Sequence, residues 1–294
     1  MVPGEPVLKH LFCFGLGFSG QTLGARLLEQ GWIVSGTSRT VEGASRLRAR
    51  GFAAHVFDGN RPEPAIAQAL QSVSHLLLSI APDAHGDPAL RCHGADIAEA
   101  PSLAWIGYLS TIGVYGDRQG AWVDETAAVT PGTERSIRRA DAEKSWLDFG
   151  RETGQPIHLF RLAGIYGPGR SAIDNIKDGN ARRIVKAGQV FNRIHVADIA
   201  GVMEASMARP RAGAAYNVTD NEPAPPQDVV AYAAELLGVA PPPEIPFAGA
   251  NLSPMGRSFY GENKRVSNAL IKRELGVQLR YPTYREGLRS LLKA

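Results

Sequence analysis

The run His10-Leu11-Phe12-Cys13-Phe14-Gly15-Leu16-Gly17-Phe18-Ser19-Gly20 decides how this chain is read. A short apolar segment ends in three glycines spaced Gly-x-Gly-x-x-Gly, and a segment of helical period follows them. Strand, glycine loop and helix in that order make an anion site. Gly15 permits the tight turn, Gly17 lets the backbone approach a pyrophosphate, and Gly20 lets the helix pack close to the strand, with the helix N-terminus facing the anion. The helical pattern stops at Gly31, a natural C′ residue, and a second apolar run begins at once, which completes a βαβ unit.

Working outward, apolar runs recur at His10 to Phe14, Trp32 to Gly36, Ala53 to Phe57, His75 to Ile80, Ala104 to Leu109 and Ile157 to Arg161, with helical-period segments between them. That alternation predicts an α/β fold, a doubly wound parallel sheet buried on both faces. A long helix is expected between Thr133 and Gly154, with Ile137, Ala140, Lys144 and Leu147 along one face. Beyond Gly167 the alternation breaks and proline becomes frequent, so a smaller α+β lobe is expected. The division expected is a Rossmann domain over 8–168, to which 194–222 return with a helix from Asp198 to Ala208 and a strand at Ala215 to Val218. The lobe then takes 169–193 and 223–294. The leader Met1 to Lys9, with Pro3, Gly4 and Pro6, is expected to be loosely ordered.

Composition narrows the class. Over 294 residues, 44% hydrophobic and 21% charged residues match a soluble globular protein. The net charge of +3 is dispersed over small groups such as Arg46 to Arg50, Arg135 to Arg139 and Lys272 to Arg273, which is no nucleic-acid footprint. Cys13 and Cys92 alone do not suggest a disulfide framework, and no apolar run approaches the ~18 residues a membrane span needs. A cytoplasmic protein is expected, with no membrane and no nucleic-acid partner. His85, Cys92 and His93 lack metal-type spacing, and no metal is expected.

The end of the second strand bears on the choice of nucleotide. An acidic residue there would accept from the adenosine ribose of NAD, whereas this chain reads Gly36-Thr37-Ser38-Arg39-Thr40. The Arg39 guanidinium can clamp a ribose 2′-phosphate, with the Thr37 and Ser38 hydroxyls and amides as further donors, so NADP is favoured over NAD. The alternative is that Arg39 starts the next helix as a solvated residue. Asp58 can accept from the adenine amino group or form an ordinary Asp-Gly-Asn turn.

With these residues in hand, the chain resembles the extended short-chain dehydrogenases/reductases of the NAD-dependent epimerase/dehydratase family. Tyr108-Leu109-Ser110-Thr111-Ile112-Gly113-Val114-Tyr115-Gly116 is similar to the family's segment after the fifth strand. Arg161 to Arg170 resembles the sixth strand and the loop that meets the nicotinamide. Arg193-Ile194-His195-Val196-Ala197-Asp198-Ile199-Ala200 looks like the family's Arg-x-x-x-Val-x-Asp-x-Ala segment with one residue fewer after the arginine, and Tyr216-Asn217-Val218 like the strand that follows. The resemblance implies cofactor contacts from Phe18, Ser19, Ser79, Ile80, Ala81, Arg139 and Ile165. It implies a small polar or nucleotide-sugar-like substrate between domain and lobe, with Arg193 and His195 on the substrate side, and it allows a homodimer. Asp198 reads as the N-cap of its helix.

One departure limits the activity. The family's Tyr-x-x-x-Lys acid/base pair is missing, because the helix after the fifth strand holds no tyrosine. Aligning the family's downstream glutamate on Glu143 puts Arg135 at the tyrosine position and Arg139 at the lysine position. The other register makes Lys144 the lysine and Ala140 the tyrosine position. An arginine stays protonated and cannot exchange a proton near neutral pH. Arg139 can hold cofactor ribose hydroxyls, and Arg135 an anionic substrate or a developing oxyanion. Ser110 and Thr111 are candidates to hydrogen-bond substrate, and Tyr115 or Tyr166 to act as a phenolic acid. Two functions stay open: an NAD(P)-dependent epimerase, dehydratase or reductase, and a non-catalytic NADP(H)-binding redox sensor or regulatory protein. A scaffold with an empty site is hard to reconcile with Gly15, Gly17, Gly20 and Arg39 together.

Overall fold

The computed structural model describes residues 9–292. The expected loose leader falls outside that range except for Lys9, whose ammonium lies 5.1 Å from the Trp32 ring centroid. Strand and helix alternate through β1 (His10–Phe14), α1 (Phe18–Glu29), β2 (Ile33–Ser38), α2 (Val41–Arg48), β3 (Ala53–Val56), α3 (Pro64–Leu70), β4 (His75–Leu78), α4 (Pro88–Ala98) and β5 (Trp105–Thr111). The chain continues through β6 (Trp122–Val123), α5 (Glu134–Thr153), β7 (Ile157–Leu162), β8 (Gly164–Tyr166), α6 (Ala172–Lys177), β9 (Arg183–Val185), β10 (Arg193–His195) and α7 (Val196–Ala208). It ends with β11 (Ala215–Val218), α8 (Pro226–Leu237), β12 (Glu244–Pro246), α9 (Pro254–Phe259), β13 (Arg265–Val266), α10 (Ala269–Leu275) and α11 (Tyr284–Ser290).

Seven strands form one sheet in the order β11-β7-β5-β4-β1-β2-β3. The pairings from β5 through β4, β1 and β2 to β3 are parallel, as the apolar runs predict. The order reverses between β1 and β4. The loops leaving the C-terminal ends of those two strands therefore diverge and open a crevice there, and the glycine loop is one of them. The runs of apolar residues are continuous because both faces are covered: every position of β1, β4 and β7 is buried. Phe12, Phe14, Leu76, Leu78, Ile106, Tyr108 and Leu159 pack with Ile66, Ile97 and Trp146 in one cluster. Each such side chain contributes about 1.5–3 kcal/mol on leaving water.

The chain divides into two compact units. The first comprises the described residues through Ser110 together with Arg138–Phe160 and Met203–Ala215. The second comprises Thr111–Ile137, Arg161–Val202 and the residues from Tyr216 onward. Within the second, three two-stranded pairs, β8 with β10, β9 with β12 and β6 with β13, are joined by helices whose core holds Tyr166, Ile173, Val229, Tyr232, Tyr284 and Leu288. Prolines that read as irregular are partly helix starts: Pro226 and Pro254 open α8 and α9, where the missing N–H costs nothing.

The face of α5 that carries Ile137 is not the buried one: Ile137 is 45% exposed, whereas Ser136, Ala142, Glu143 and Trp146 are buried. The inward stripe mixes Ala142 and Trp146, which pack in the apolar cluster, with the hydrogen-bonded Ser136 and Glu143, and a hydrophobic period does not register the polar pair. One local expectation needs correction: Asp198 is not an N-cap. It lies inside α7, and its carboxylate accepts the Arg280 amide at 2.6 Å and the Tyr281 amide at 3.1 Å, holding a distant segment of the second unit. Among the described residues no helix is long and apolar enough to cross a membrane.

Candidate functional site

The glycine loop is fastened to β2. The Gly15 amide donates to Thr37 Oγ1 at 2.8 Å, the Leu16 amide to the Thr37 carbonyl at 2.9 Å, and the Gly17 amide to the Gly15 carbonyl at 2.7 Å. Gly15 has φ +83°, a left-handed conformation that disfavours side chains, and a Cβ there would lie 2.7 Å from Ile80 Cγ2. A Cβ on Gly20 would lie 2.8 Å from Cys13 Sγ, so α1 packs directly on β1. Gly17 differs from both, because a Cβ there would meet nothing closer than the Gly15 carbonyl oxygen at 3.9 Å. Packing within the protein therefore accounts for glycine at 15 and 20 but not at 17. No side chain caps the N-terminus of α1.

At the end of β2 the three candidate residues part company. Thr37 is buried and its hydroxyl oxygen takes the Gly15 amide, so it supports the loop instead of reaching outward as the sequence reading proposed. Ser38 is half-buried against Gly43, where a Cβ would collide with its hydroxyl. Arg39 is exposed, and its side chain has no hydrogen bond or ion pair with the described residues. Thr40 caps α2 by accepting the Gly43 amide. Asp58 adopts the turn reading: it accepts from the Asn60 amide at 2.9 Å and from Asn60 Nδ2 at 2.8 Å, and these bonds hold its carboxyl below the usual range. Ser79 and Ile80 are half-buried and Ala81 is exposed beyond the end of β4.

The first unit also brings Ser110, Arg139 and Ile80 together. Ser110 and Glu143 are both buried, and the Ser110 hydroxyl donates to Glu143 Oε1. Arg139 Nη1 donates to the Leu109 carbonyl at 2.8 Å and to Tyr108 Oη at 3.1 Å, with the Ile80 carbonyl at 3.5 Å. Arg139 is thereby tied to β5 and to the residue that lies against Gly15. Lys144 instead pairs with Asp148 in solvent, which removes the register that would make it the lysine of the site. Asp87 accepts the Ala89 and Leu90 amides at the start of α4, and burial raises its carboxyl above the usual range. Glu143 served the sequence reading only as a register mark, and nothing in the pattern around it announced its bond to Ser110.

The remaining candidates belong to the second unit. Thr111 caps the short turn after β5 by accepting the Gly113 amide at 3.1 Å. Arg135 is exposed, its guanidinium 5.0 Å from the Phe259 ring centroid. Tyr115 is fully buried. It donates to Asn217 Oδ1 at 2.7 Å and accepts from Arg161 Nη1 at 2.9 Å, so its phenol is committed to internal partners. Tyr166 is buried beside Gly287, with its hydroxyl 3.5 Å from the Thr283 carbonyl, and burial raises its phenol well above the usual range. Neither tyrosine is presented as a proton donor. Ile165 is half-buried in β8, opposite Ile194. Arg193 Nη1 donates to the Phe191 and Ala224 carbonyls at 2.9 and 3.1 Å. His195 Nδ1 accepts the Ala197 amide at 3.1 Å, and burial, assisted by Arg280, lowers the ring to about 4, so it is neutral at pH 7.

No model of a known protein family matches the chain. A conserved protein of unknown function from Silicibacter pomeroyi shares 51% identity, with 97% of this chain and 98% of that one covered and a TM-score of 0.88. The chain belongs to the same family as that protein. Protein YeeZ of Escherichia coli K12 is 29% identical over 94% of this chain and 97% of its own length. A 3-diazoavenalumate denitrifying reductase from Streptomyces is 27% identical over 70% of this chain and 68% of its own. A Methylobacillus flagellatus structure assigned to the NAD-dependent epimerases/dehydratases is 26% identical, covers 98% of both chains and has a TM-score of 0.74. The fold is shared further with UDP-glucuronic acid 4-epimerase from Bacillus cereus in complex with NAD, at 15% identity, 97% and 99% coverage and a TM-score of 0.76. The epimerase/dehydratase expectation thus agrees with the fold of these neighbours.

Proposed function

We propose that this chain binds a nicotinamide dinucleotide on the first unit, NADP(H) in preference to NAD(H), and acts on a small polar substrate as an epimerase, dehydratase or reductase. The carrying observation is at Gly17, where the absence of a side chain serves no packing within the protein and the backbone is left open to a pyrophosphate. The uncapped N-terminus of α1 supplies the electrostatic complement. Arg39 carries the preference for NADP(H): an exposed guanidinium without an ion pair at the end of β2 suits a 2′-phosphate. The dinucleotide would accept or deliver a hydride. Arg139, fixed by carbonyl and phenol oxygens, supplies an immobile positive charge beside Ile80. Thr111 uses its oxygen on Gly113 and keeps its O–H for a substrate oxygen. The Streptomyces relative supports reductase chemistry, and the epimerases support the cofactor; cytoplasmic residence and a homodimer belong to the same reading.

The test is calorimetric titration with NADP, NADPH, NAD and NADH, repeated on Arg39→Ala, followed by turnover on a panel of carbonyl and hydroxyl substrates. NADP(H) is expected to bind tighter than NAD(H) by about tenfold or more, and the variant to lose the difference. Equal binding of both, unchanged in the variant, overturns the preference, and no binding overturns the whole reading.

A second reading is favoured by the lack of tyrosine on α5 and by the internal commitments of Tyr115 and Tyr166: an NADP(H) sensor without turnover. It requires different affinities for NADP and NADPH and a partner whose association follows the bound form.

A further inference from the structure

The second unit holds a pocket of about 210 Å³ beside the pair of β6 with β13. That volume lies below the roughly 300–1,000 Å³ of drug-sized sites, so it suits one small ring with a short polar group. Trp122 of β6 and Val266 of β13 give the pocket its apolar lining, and the strand pairing sets Val123 opposite Val266. Val266 is buried, whereas the Trp122 side chain is 61% exposed and has no hydrogen bond or ring contact with the described residues. The polar lining is held in place. Asn268 Nδ2 donates to the Thr219 carbonyl at 2.8 Å and to Asn221 Oδ1 at 2.9 Å, and Lys272 Nζ donates to the same Asn221 oxygen at 2.6 Å. Asn221 thus spends its oxygen on internal donors and keeps its Nδ2 hydrogens, while Lys272 keeps N–H groups to spare. Ser267 Oγ accepts the Ala269 amide at 3.3 Å and keeps its O–H. Lys272 forms no ion pair with the described residues, and the pocket walls strip some water from its ammonium, which lowers it from its ordinary value. Asp220, the carboxyl that lines the pocket, is buried, accepts the Glu222 amide at 3.0 Å and is offset by Arg193.

We propose that this pocket binds a small aromatic carboxylate, whose ring lies on the Trp122 indole and whose carboxylate takes hydrogen bonds from Lys272, Asn221 and Ser267. The spare groups of those three residues are donors, and one of them carries a positive charge, so the partner that satisfies them accepts only and is anionic. A neutral ring would leave the partly desolvated ammonium without a counterion, and a cation would be repelled by it. The indole supplies a flat apolar face on which a second ring can stack with an offset. A lone exposed tryptophan would mean little, but this one stands in a concave site beside fixed donors, which scattered surface residues do not provide. The volume is too small for a dinucleotide, and every lining residue belongs to the second unit. The site therefore stands apart from the glycine loop and does not depend on the cofactor reading.

The experiment is calorimetric titration of the full chain with benzoate at constant ionic strength, with acetate, benzamide and benzylamine as comparisons and the Trp122 indole N–H resonance followed alongside. Benzoate is expected to bind at about one per chain with a Kd of about 1 mM or tighter and to shift that resonance, and the three comparisons to bind about tenfold or more weakly. Affinity for benzoate should fall about tenfold or more in Trp122→Ala and in Lys272→Gln, be largely kept in Trp122→Phe and Lys272→Arg, and be unchanged in Lys177→Gln, an exposed lysine of the same unit. Trp122 and Lys272 are both exposed, so their variants are expected to fold as the parent does. Benzamide binding as tightly as benzoate overturns the carboxylate, and acetate doing so overturns the ring. Benzoate affinity that is unchanged in the Trp122 and Lys272 variants, or absent up to about 10 mM, overturns the site. Failure of NADPH to bind while benzoate binds in a Trp122-dependent way overturns the cofactor reading and leaves this site standing.

Discussion

Thr37 Oγ1 accepts the Gly15 amide at 2.8 Å, so the residue near the end of β2 sets the turn that ends β1. A dinucleotide meeting the glycine loop meets a backbone shaped from the neighbouring strand. Thr37→Val keeps the shape of the side chain and strands the half-buried Gly15 N–H, at a cost of about 1 kcal/mol. Urea unfolding should show that loss, and cofactor affinity should fall with it, while Thr37→Ser should restore both in large part.

The three loop glycines are expected to separate in two assays. Gly15→Ala must adopt a left-handed φ and displace Ile80, so it should lose on the order of 1–3 kcal/mol in a denaturant melt. Gly17→Ala meets open space and should melt within about 0.5 kcal/mol of the parent, yet lose most of its dinucleotide affinity. A Gly17→Ala chain that binds NADPH normally would remove the observation on which the cofactor reading stands.

The Ser110–Glu143 pair predicts non-additivity. Ser110→Ala leaves a buried carboxylate short of a donor and should destabilise by about 1–3 kcal/mol, whereas Ser110→Ala combined with Glu143→Gln should cost less than the sum of the single changes. Additive costs in a double-mutant cycle would mean that the two side chains do not depend on each other.

Acid sensitivity follows from the histidines. Burial lowers His10, His55, His75, His158 and His195 from the ordinary 6.5, His75 and His195 to about 4. The unfolded chain takes up these protons first as pH falls. The stability they contribute is therefore present above 6.5 and is lost progressively toward 4. Burial raises Asp220 from 3.8 to about 7, which acts in the opposite sense over that window: its neutral form favours the fold at low pH, and that contribution fades as pH rises through 7. Burial raises Asp87 and Glu125 as well, in the same sense as Asp220; five lowered histidines outnumber these three carboxyls, so urea midpoints should fall from pH 7.5 to 5. A midpoint that holds or rises on acidification would contradict this balance.

What could be read in the sequence was periodic or local. The strand at Ala215–Val218 and the ends of α1 and α5 agree with expectation because hydrophobic period, Gly31 and Gly154 mark them within a few residues. The glycine spacing likewise carried the anion-binding loop. What escaped was long-range and polar: Thr37 to Gly15, Ser110 to Glu143, Asp198 to the amides of Arg280 and Tyr281. Such bonds join residues separated by 22, 33 and more than 80 positions, and leave no trace in any window a periodicity can sample. The same blindness groups Ile137 with Ala140, Lys144 and Leu147 along one face of α5, whereas the buried residues of the helix include a serine and a glutamate.

Cys13 lies beneath Gly20, fully buried, with its thiol donating to the Gly15 carbonyl at 3.4 Å, and burial pushes its acidity well out of the range of ready reaction. A thiol reagent can reach it only when the first turn of α1 lifts from β1. The rate of its modification is thus a clock for that lifting, running inside the native chain without any engineered label, and a nucleotide seated on the loop should slow it in proportion to its occupancy.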